Sequence, residues 1–157
     1  MTLFQGTSAI DMQRAIIGTL DQLSQVAELE ACTFNHPWSE SALKIFFESE
    51  SAFCTLCLVD GELASYCTVV TVLDEAQIVN VATAEKHKGL GYAKDVIELV
   101  VSESIRRNIV SISLEVRESN FAAISLYEKK GFIAVGKRKG FYTEPKEDAL
   151  VMIKNLD

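Results

Sequence analysis

Proline and glycine are scarce, two and eight among 157 residues. No stretch is rich in either, and no repeat or low-complexity tract divides the chain. It reads as a single domain over 1–157, with residues 1–9 as a loose extension. Long apolar runs are missing as well: none reaches the roughly eighteen uninterrupted residues that a membrane span needs. Met1 to Gln13 has neither a basic start nor an apolar stretch, so no secretion signal is expected and the expected compartment is the cytoplasm. Positive charge is the minority sign, with 15 Lys and Arg against 22 Asp and Glu, a net charge of −7. That speaks against a nucleic-acid surface, which needs clustered cations for phosphate. It suits a cationic partner, such as an amine or a basic peptide.

Histidine is nearly absent: His36 and His87 stand in unrelated contexts. Of four cysteines, Cys54 and Cys57 form a C-x-x-C pair, a pattern that serves redox or zinc chemistry. Phe53 to Val59 reads as a strand, however, where residues three apart point to opposite faces. There is no second pair to complete a metal site. The cysteines are expected to be buried free thiols, with no metal and no Cys–His dyad for a covalent acyl-enzyme.

What is present is an alternation of strand and helix patterns. A short strand is expected around Met12 to Ile17. Thr19-x-x-Gln22 is a capping box opening a helix along Leu20, Leu23, Ala27, Ala31 and Phe34. After Asn35 to Trp38, Ser39 caps a second helix to about Glu48, with Trp38 and Leu43 at the spacing of a hydrophobic staple. Strands follow at Phe53–Val59, Leu63–Leu73 and Ala76–Thr83, the first two joined by the hairpin dipeptide Asp60-Gly61. Leu90, Ala93, Ile97, Val100, Val101 and Ser104 mark a long helix. Ile109–Val116 is an apolar strand, and Asn120–Lys130 a helix ended by Gly131. Two strands, Phe132–Arg138 and Ala149–Ile153, flank a polar loop. The order predicts an α+β domain with a mixed central sheet flanked by helices.

Lys86-His87-Lys88-Gly89-Leu90-Gly91-Tyr92-Ala93 joins a strand to that long helix. Glycines let backbone N–H groups approach an anion, and the helix N-terminus adds partial positive charge, to which Lys86 and Lys88 contribute. A phosphate-binding Walker loop would need Gly-Lys-Ser/Thr, and a dinucleotide fingerprint a third small residue at Lys94; both fail. Another diphosphate carrier fits, and coenzyme A is one.

This turn resembles the acetyl-CoA signature of the Gcn5-related N-acetyltransferases, Q/R-x-x-G-x-G/A, with Lys86 where Gln or Arg is usual. The block Leu114-Glu115-Val116-Arg117-x-Ser119-Asn120-x-x-Ala123-Ile124-x-Leu126-Tyr127-x-x-x-Gly131-Phe132 is similar to that of the RimI-type enzymes, which acetylate the N-terminal alanine of a ribosomal protein. Pro37-Trp38-Ser39-Glu40, Phe141-Tyr142 and Glu147-Asp148-Ala149 extend the resemblance. It implies a fold whose fourth and fifth strands splay apart to form an acetyl-CoA cleft. In that cleft the backbone of Val81, Ala82 and Thr83 would hold pantetheine and acetyl. His87, Lys88, Gly89, Leu90, Gly91 and Tyr92 would cradle the phosphates, with Asn120 a further cofactor contact. The acceptor would be a peptide N-terminus near Trp38, Phe141 and Tyr142, and the enzyme a monomer or weak homodimer.

Acyl transfer from a thioester to an amine needs a neutral amine, a stabilised oxyanion and a proton for the departing thiolate. Glu115 interrupts an apolar strand, and is either a base partly withdrawn from water or a surface salt-bridge partner on a strand edge. Tyr127, on one helical face with Asn120, is either a half-buried core aromatic or a proton donor, and Asn120 doubles as a helix cap. The resemblance implies that Glu115 is the base and Tyr127 the acid. Neutralising an α-amine at pH 7 costs roughly 1.4 kcal/mol against about 4.6 for a lysine, which favours an N-terminal acceptor. A small amine, a lysine side chain, or a non-catalytic acyl-CoA binder are the alternatives.

Overall fold

The computed structural model describes residues 14–156. The extension 1–9 and the start of the expected first strand therefore lie outside the described residues. The strands are β1 (Ala15–Ile17), β2 (Ala52–Val59), β3 (Glu62–Val72), β4 (Glu75–Thr83), β5 (Ser111–Arg117), β6 (Ile133–Thr143) and β7 (Lys146–Asn155). The helices are α1 (Leu23–Thr33), α2 (Glu40–Leu43), α3 (Ile45–Glu48), α4 (Tyr92–Arg106) and α5 (Phe121–Lys129). One seven-stranded sheet runs β1-β2-β3-β4-β5-β7-β6. Among the described residues its one parallel pair is β4 with β5, as a helical crossover through α4 requires. The mixed sheet flanked by helices is the α+β architecture expected.

The β2–β3 hairpin turns at Asp60 and Gly61, both at positive φ (51° and 81°), the backbone of a type I′ turn. Residues of β2 then alternate between two cores. Cys54 and Leu56 pack with Leu23, Val26 and Phe46 beneath α1–α3. Phe53 and Cys57 pack with Val96, Ile97 and Val100 of α4. The two cysteines of the C-x-x-C pair thus lie on opposite faces. Both are buried, free thiols, as is Cys67, whereas Cys32 is free but exposed, against expectation. Burial pushes the Cys57 thiol up to about 11, so it is no nucleophile at neutral pH.

Three local expectations are corrected. The Thr19 capping box is present, with Gln22 Oε1 accepting from Thr19 N at 2.8 Å, but it opens a 3₁₀ turn, Leu20–Gln22, before α1. Three residues per turn instead of 3.6 shifts the phase, so Leu20 and Ala31 are exposed while Val26 and Glu30 are buried. The single helix expected from Ser39 is two short pieces meeting at Lys44, whose carbonyl accepts a tight i→i+3 bond from Phe47 N at 3.0 Å. Ser39 does cap it, accepting from Ala42 N at 3.1 Å, and the Trp38 ring rests on Phe46, centroids 5.2 Å apart. The polar loop expected after Arg138 is mostly strand: β6 and β7 are long and joined at Glu144–Pro145. β6 is the sheet's last strand, so its Lys137, Arg138 and Lys139 face water, as polar residues on an edge do.

The opening that matters lies mid-sheet. β4 pairs with β5 at only three positions, Glu75, Ala76 and Gln77 against Ser111, Ile112 and Ser113. Against β3 the register slips between Thr68 and Val69, leaving Val79 as an extra, bulged residue. From Ile78 onward β4 diverges from β5, as the fold expectation required. Among the described residues no helix is long and apolar enough to cross a membrane.

Candidate active site

One wall of the opening is the free side of β4. Val81, Ala82 and Thr83 pair with Cys67, Tyr66 and Ser65 on one side and, among the described residues, with no strand on the other. A strand edge inside a sheet presents unpaired N–H and C=O groups, which a chain of amides can complement.

Beyond Thr83 the chain makes a 3₁₀ turn, Glu85–His87, then passes through Gly89 (φ 76°) and Gly91 (φ 88°) into α4. Positive φ at both positions turns the backbone outward. No backbone hydrogen bond to a described residue uses the N–H groups of Gly89 through Ala93. Those free donors at a helix start suit an anion. The expected help from lysine is already committed: Lys86 Nζ is 2.7 Å from Glu62 Oε1, and Lys88 Nζ is 3.1 Å from Glu85 Oε1. Lys86 first, then His87, hold the Glu62 carboxyl below its ordinary range. His87 is largely covered, its ring edge-on to Tyr92 at 5.8 Å. Arg14, just before β1, braces the turn: it bonds Asp95, donates to the Leu90 carbonyl at 3.1 Å, and stacks 4.2 Å over Tyr92.

The other wall is β5 with α5. Leu114 and Val116 point into the core, so alternation turns Glu115 to the opposite face, where its side chain is 16% exposed. Its oxygens meet Arg138 Nε at 2.9 Å and Gln77 Nε2 at 3.4 Å. It therefore makes the ion pair of the plainer expectation, on an interior strand and not on an edge. A cavity of about 320 Å³ opens beside it, lined by Gln77, Ser111, Ser113, Glu115 and Arg138.

Tyr127 is 6% exposed and packs against Phe132, centroids 5.7 Å apart. Burial pushes its phenol well above the ordinary value. It stays protonated at neutral pH, and so can serve as a donor but not as a base. Its hydroxyl bonds no described residue. Asn120 caps α5, accepting from Ala123 N at 3.2 Å. The cap is seen, and it leaves the amide nitrogen available.

Of the residues expected near an acceptor, Phe141 and Tyr142 stack edge to face at 5.1 Å on β6. The Trp38 loop reaches the β6–β7 turn through its neighbours: His36 Nε2 lies 2.7 Å from Glu144 Oε1, and Asn35 Nδ2 donates to the Glu144 carbonyl at 3.0 Å. Sequence reasoning passed over what organises this side. Arg117 donates to the carbonyls of Pro145 and Glu144 at 2.8 and 3.0 Å, pairs with Glu147 at 3.2 Å, and lies 4.3 Å over the Tyr142 ring. A cation closing the strand after Glu115 was the available signal. Arg138, the partner of Glu115, stands at the end of the expected strand Phe132–Arg138, and nothing in that position signals the pairing.

Residues 23–132 match the acetyltransferase (GNAT) family. The [ribosomal protein bS18]-alanine N-acetyltransferase of Salmonella typhimurium is 34% identical over 88% of this chain and 93% of its own. The crystal structure of the ribosomal-protein-S18-alanine N-acetyltransferase of Escherichia coli superposes with a TM-score of 0.81 at 29% identity, covering 91% of this chain and 94% of that one. Arabidopsis thaliana NAA60, in a structure with acetyl-CoA, shares the fold at TM-score 0.81 and 18% identity, over 90% and 97% of the two chains. The chain belongs to the acetyltransferase (GNAT) family, with ribosomal-protein-alanine N-acetyltransferases among its relatives.

Proposed function

We propose that the chain transfers acetyl from acetyl-CoA to the α-amine of a protein N-terminus, with the alanine of the ribosomal protein bS18 as its acceptor. The observation that carries this reading is the parting of β4 from β5 beyond Gln77 and Ser113, with the Glu115 strand across from the free edge of Val81–Thr83. The relatives' names point to the acceptor.

Acetyl-CoA would supply an activated thioester. The unpaired edge of Val81, Ala82 and Thr83 suits its pantetheine amides. The free N–H groups from Gly89 to Tyr92, with His87 and Lys88 beside them, suit its diphosphate, and Asn120 lies at the start of α5 as a further contact. Glu115 accepts the proton of the incoming amine, directly or through a water in the adjoining cavity. Tyr127 donates to the departing sulfur. Trp38, Phe141 and Tyr142 flank the acceptor's first residues. The enzyme works in the cytoplasm, as a monomer or weak homodimer.

The test is acetyl-CoA turnover with a peptide beginning Ala and carrying the bS18 N-terminal sequence, against the same peptide blocked at its α-amine and against polyamines. Acetylation of the free peptide alone is expected. Turnover of polyamines, or of a lysine in the blocked peptide, would overturn the acceptor assignment.

A further inference from the structure

Glu30 is 0% exposed, and its partners among the described residues are all uncharged. Burying a carboxylate without a cation is costly, and an aliphatic residue would fill the same position on α1 between Val26 and the sheet. What leucine could not do is accept three hydrogen bonds from three separate elements. Glu30 Oε2 accepts from Trp38 N at 3.0 Å and from Asn80 Nδ2 at 2.9 Å, while Oε1 accepts from the Tyr66 hydroxyl of β3. Trp38 N belongs to the loop that contacts the β6–β7 turn. Asn80 stands beside the bulged Val79, immediately before Val81 on the free edge of β4.

We infer that Glu30 is a positioning residue for acetyl transfer, one carboxylate oxygen tying the acceptor-side loop at Trp38 to β4 at Asn80. The two substrates' walls are thereby held in a single register. This role rests on the acetyltransferase reading above, but the contact itself can be tested without turnover, because Trp38 is the only tryptophan in the chain.

The experiment compares Glu30→Leu and Glu30→Gln by acrylamide quenching of Trp38 fluorescence and by steady-state kinetics. In Glu30→Gln the amide oxygen can still accept from Trp38 N and Asn80, and its nitrogen can donate to the Tyr66 oxygen. This variant is expected to stay within about twofold of wild type in both measurements. Glu30→Leu fills the space but strands the donors. It is expected to quench about twofold more readily and to raise the acceptor-peptide KM about tenfold, with the acetyl-CoA KM nearly unchanged. If Glu30→Leu does not fold, Asn80→Ala serves instead, with about a threefold rise in acceptor KM expected from the loss of one bond. Unaltered quenching in the folded variant would overturn the tie. So would a Glu30→Gln protein that behaves like Glu30→Leu. Altered quenching with an unaltered acceptor KM would reduce Glu30 to a structural anchor and overturn its positioning role. If wild type acetylates no peptide, the acetyltransferase reading fails, while quenching still decides whether Glu30 holds the loop.

Discussion

Tyr127 and Glu115 show how one residue can satisfy two descriptions. Tyr127 is a core aromatic by packing, yet its hydroxyl bonds no described residue. Removing that oxygen should therefore cost little stability and much chemistry. Tyr127→Phe is expected to lower kcat about 10²-fold, with acetyl-CoA affinity within about twofold. An unchanged rate, measured with saturating peptide, would remove the acid role. Glu115 is ion-paired with Arg138 and also faces a cavity. Glu115→Gln is expected to lose most activity at low pH, where the acceptor amine is most protonated; a constant ratio to wild type from about pH 6 to 9 would count against a base there. Both residues were legible in sequence as chemistry-bearing types in a motif. Glu30 was not: an acidic residue in a polar helix reads as solvated until the chain beside it is folded.

Between residue and domain, short elements set the phase of everything after them. The 3₁₀ turn before α1 moved the buried stripe onto Val26 and Glu30, a rotation that no periodicity count starting at Leu20 could anticipate. The turn before α4 was easier, because its glycines announce positive φ. An added Cβ at Gly91 (φ 88°) would meet Arg14 Nη2 at 3.1 Å, in a backbone conformation that costs an L-residue about 1–2 kcal/mol. Gly91→Ala is expected to raise the acetyl-CoA KM severalfold and lower the Tm by several degrees, with the peptide KM unaffected. Calorimetric titration with CoA checks the first effect and thermal unfolding the second.

For the molecule as a whole, carboxylates are paired both within a helix and between helices. Arg106, then Arg107, hold the Glu103 carboxyl below its ordinary value of 4.5; Lys130 does the same to Glu98, joining α4 to the end of α5. A carboxyl depressed on folding leaves the unfolded chain binding more protons in acid. Its contribution to stability is thus present above 4.5 and lost as pH falls through the lower folded value. Thermal stability is expected to fall below about pH 4.5, less steeply in Glu103→Gln; parallel curves of Tm against pH would exclude this ion-pair source. The sequence alone determined the order of strands and helices, the hairpin at Asp60-Gly61 and the glycine turn, because these depend on local periodicity and backbone freedom. Tertiary structure decided where β4 leaves β5, that Arg138 meets Glu115, and that Glu30 is enclosed by Tyr66, Asn80 and Trp38. Those contacts join residues from 8 to 50 positions apart along the chain, and strand register and helix phase bring them together only once the sheet has formed.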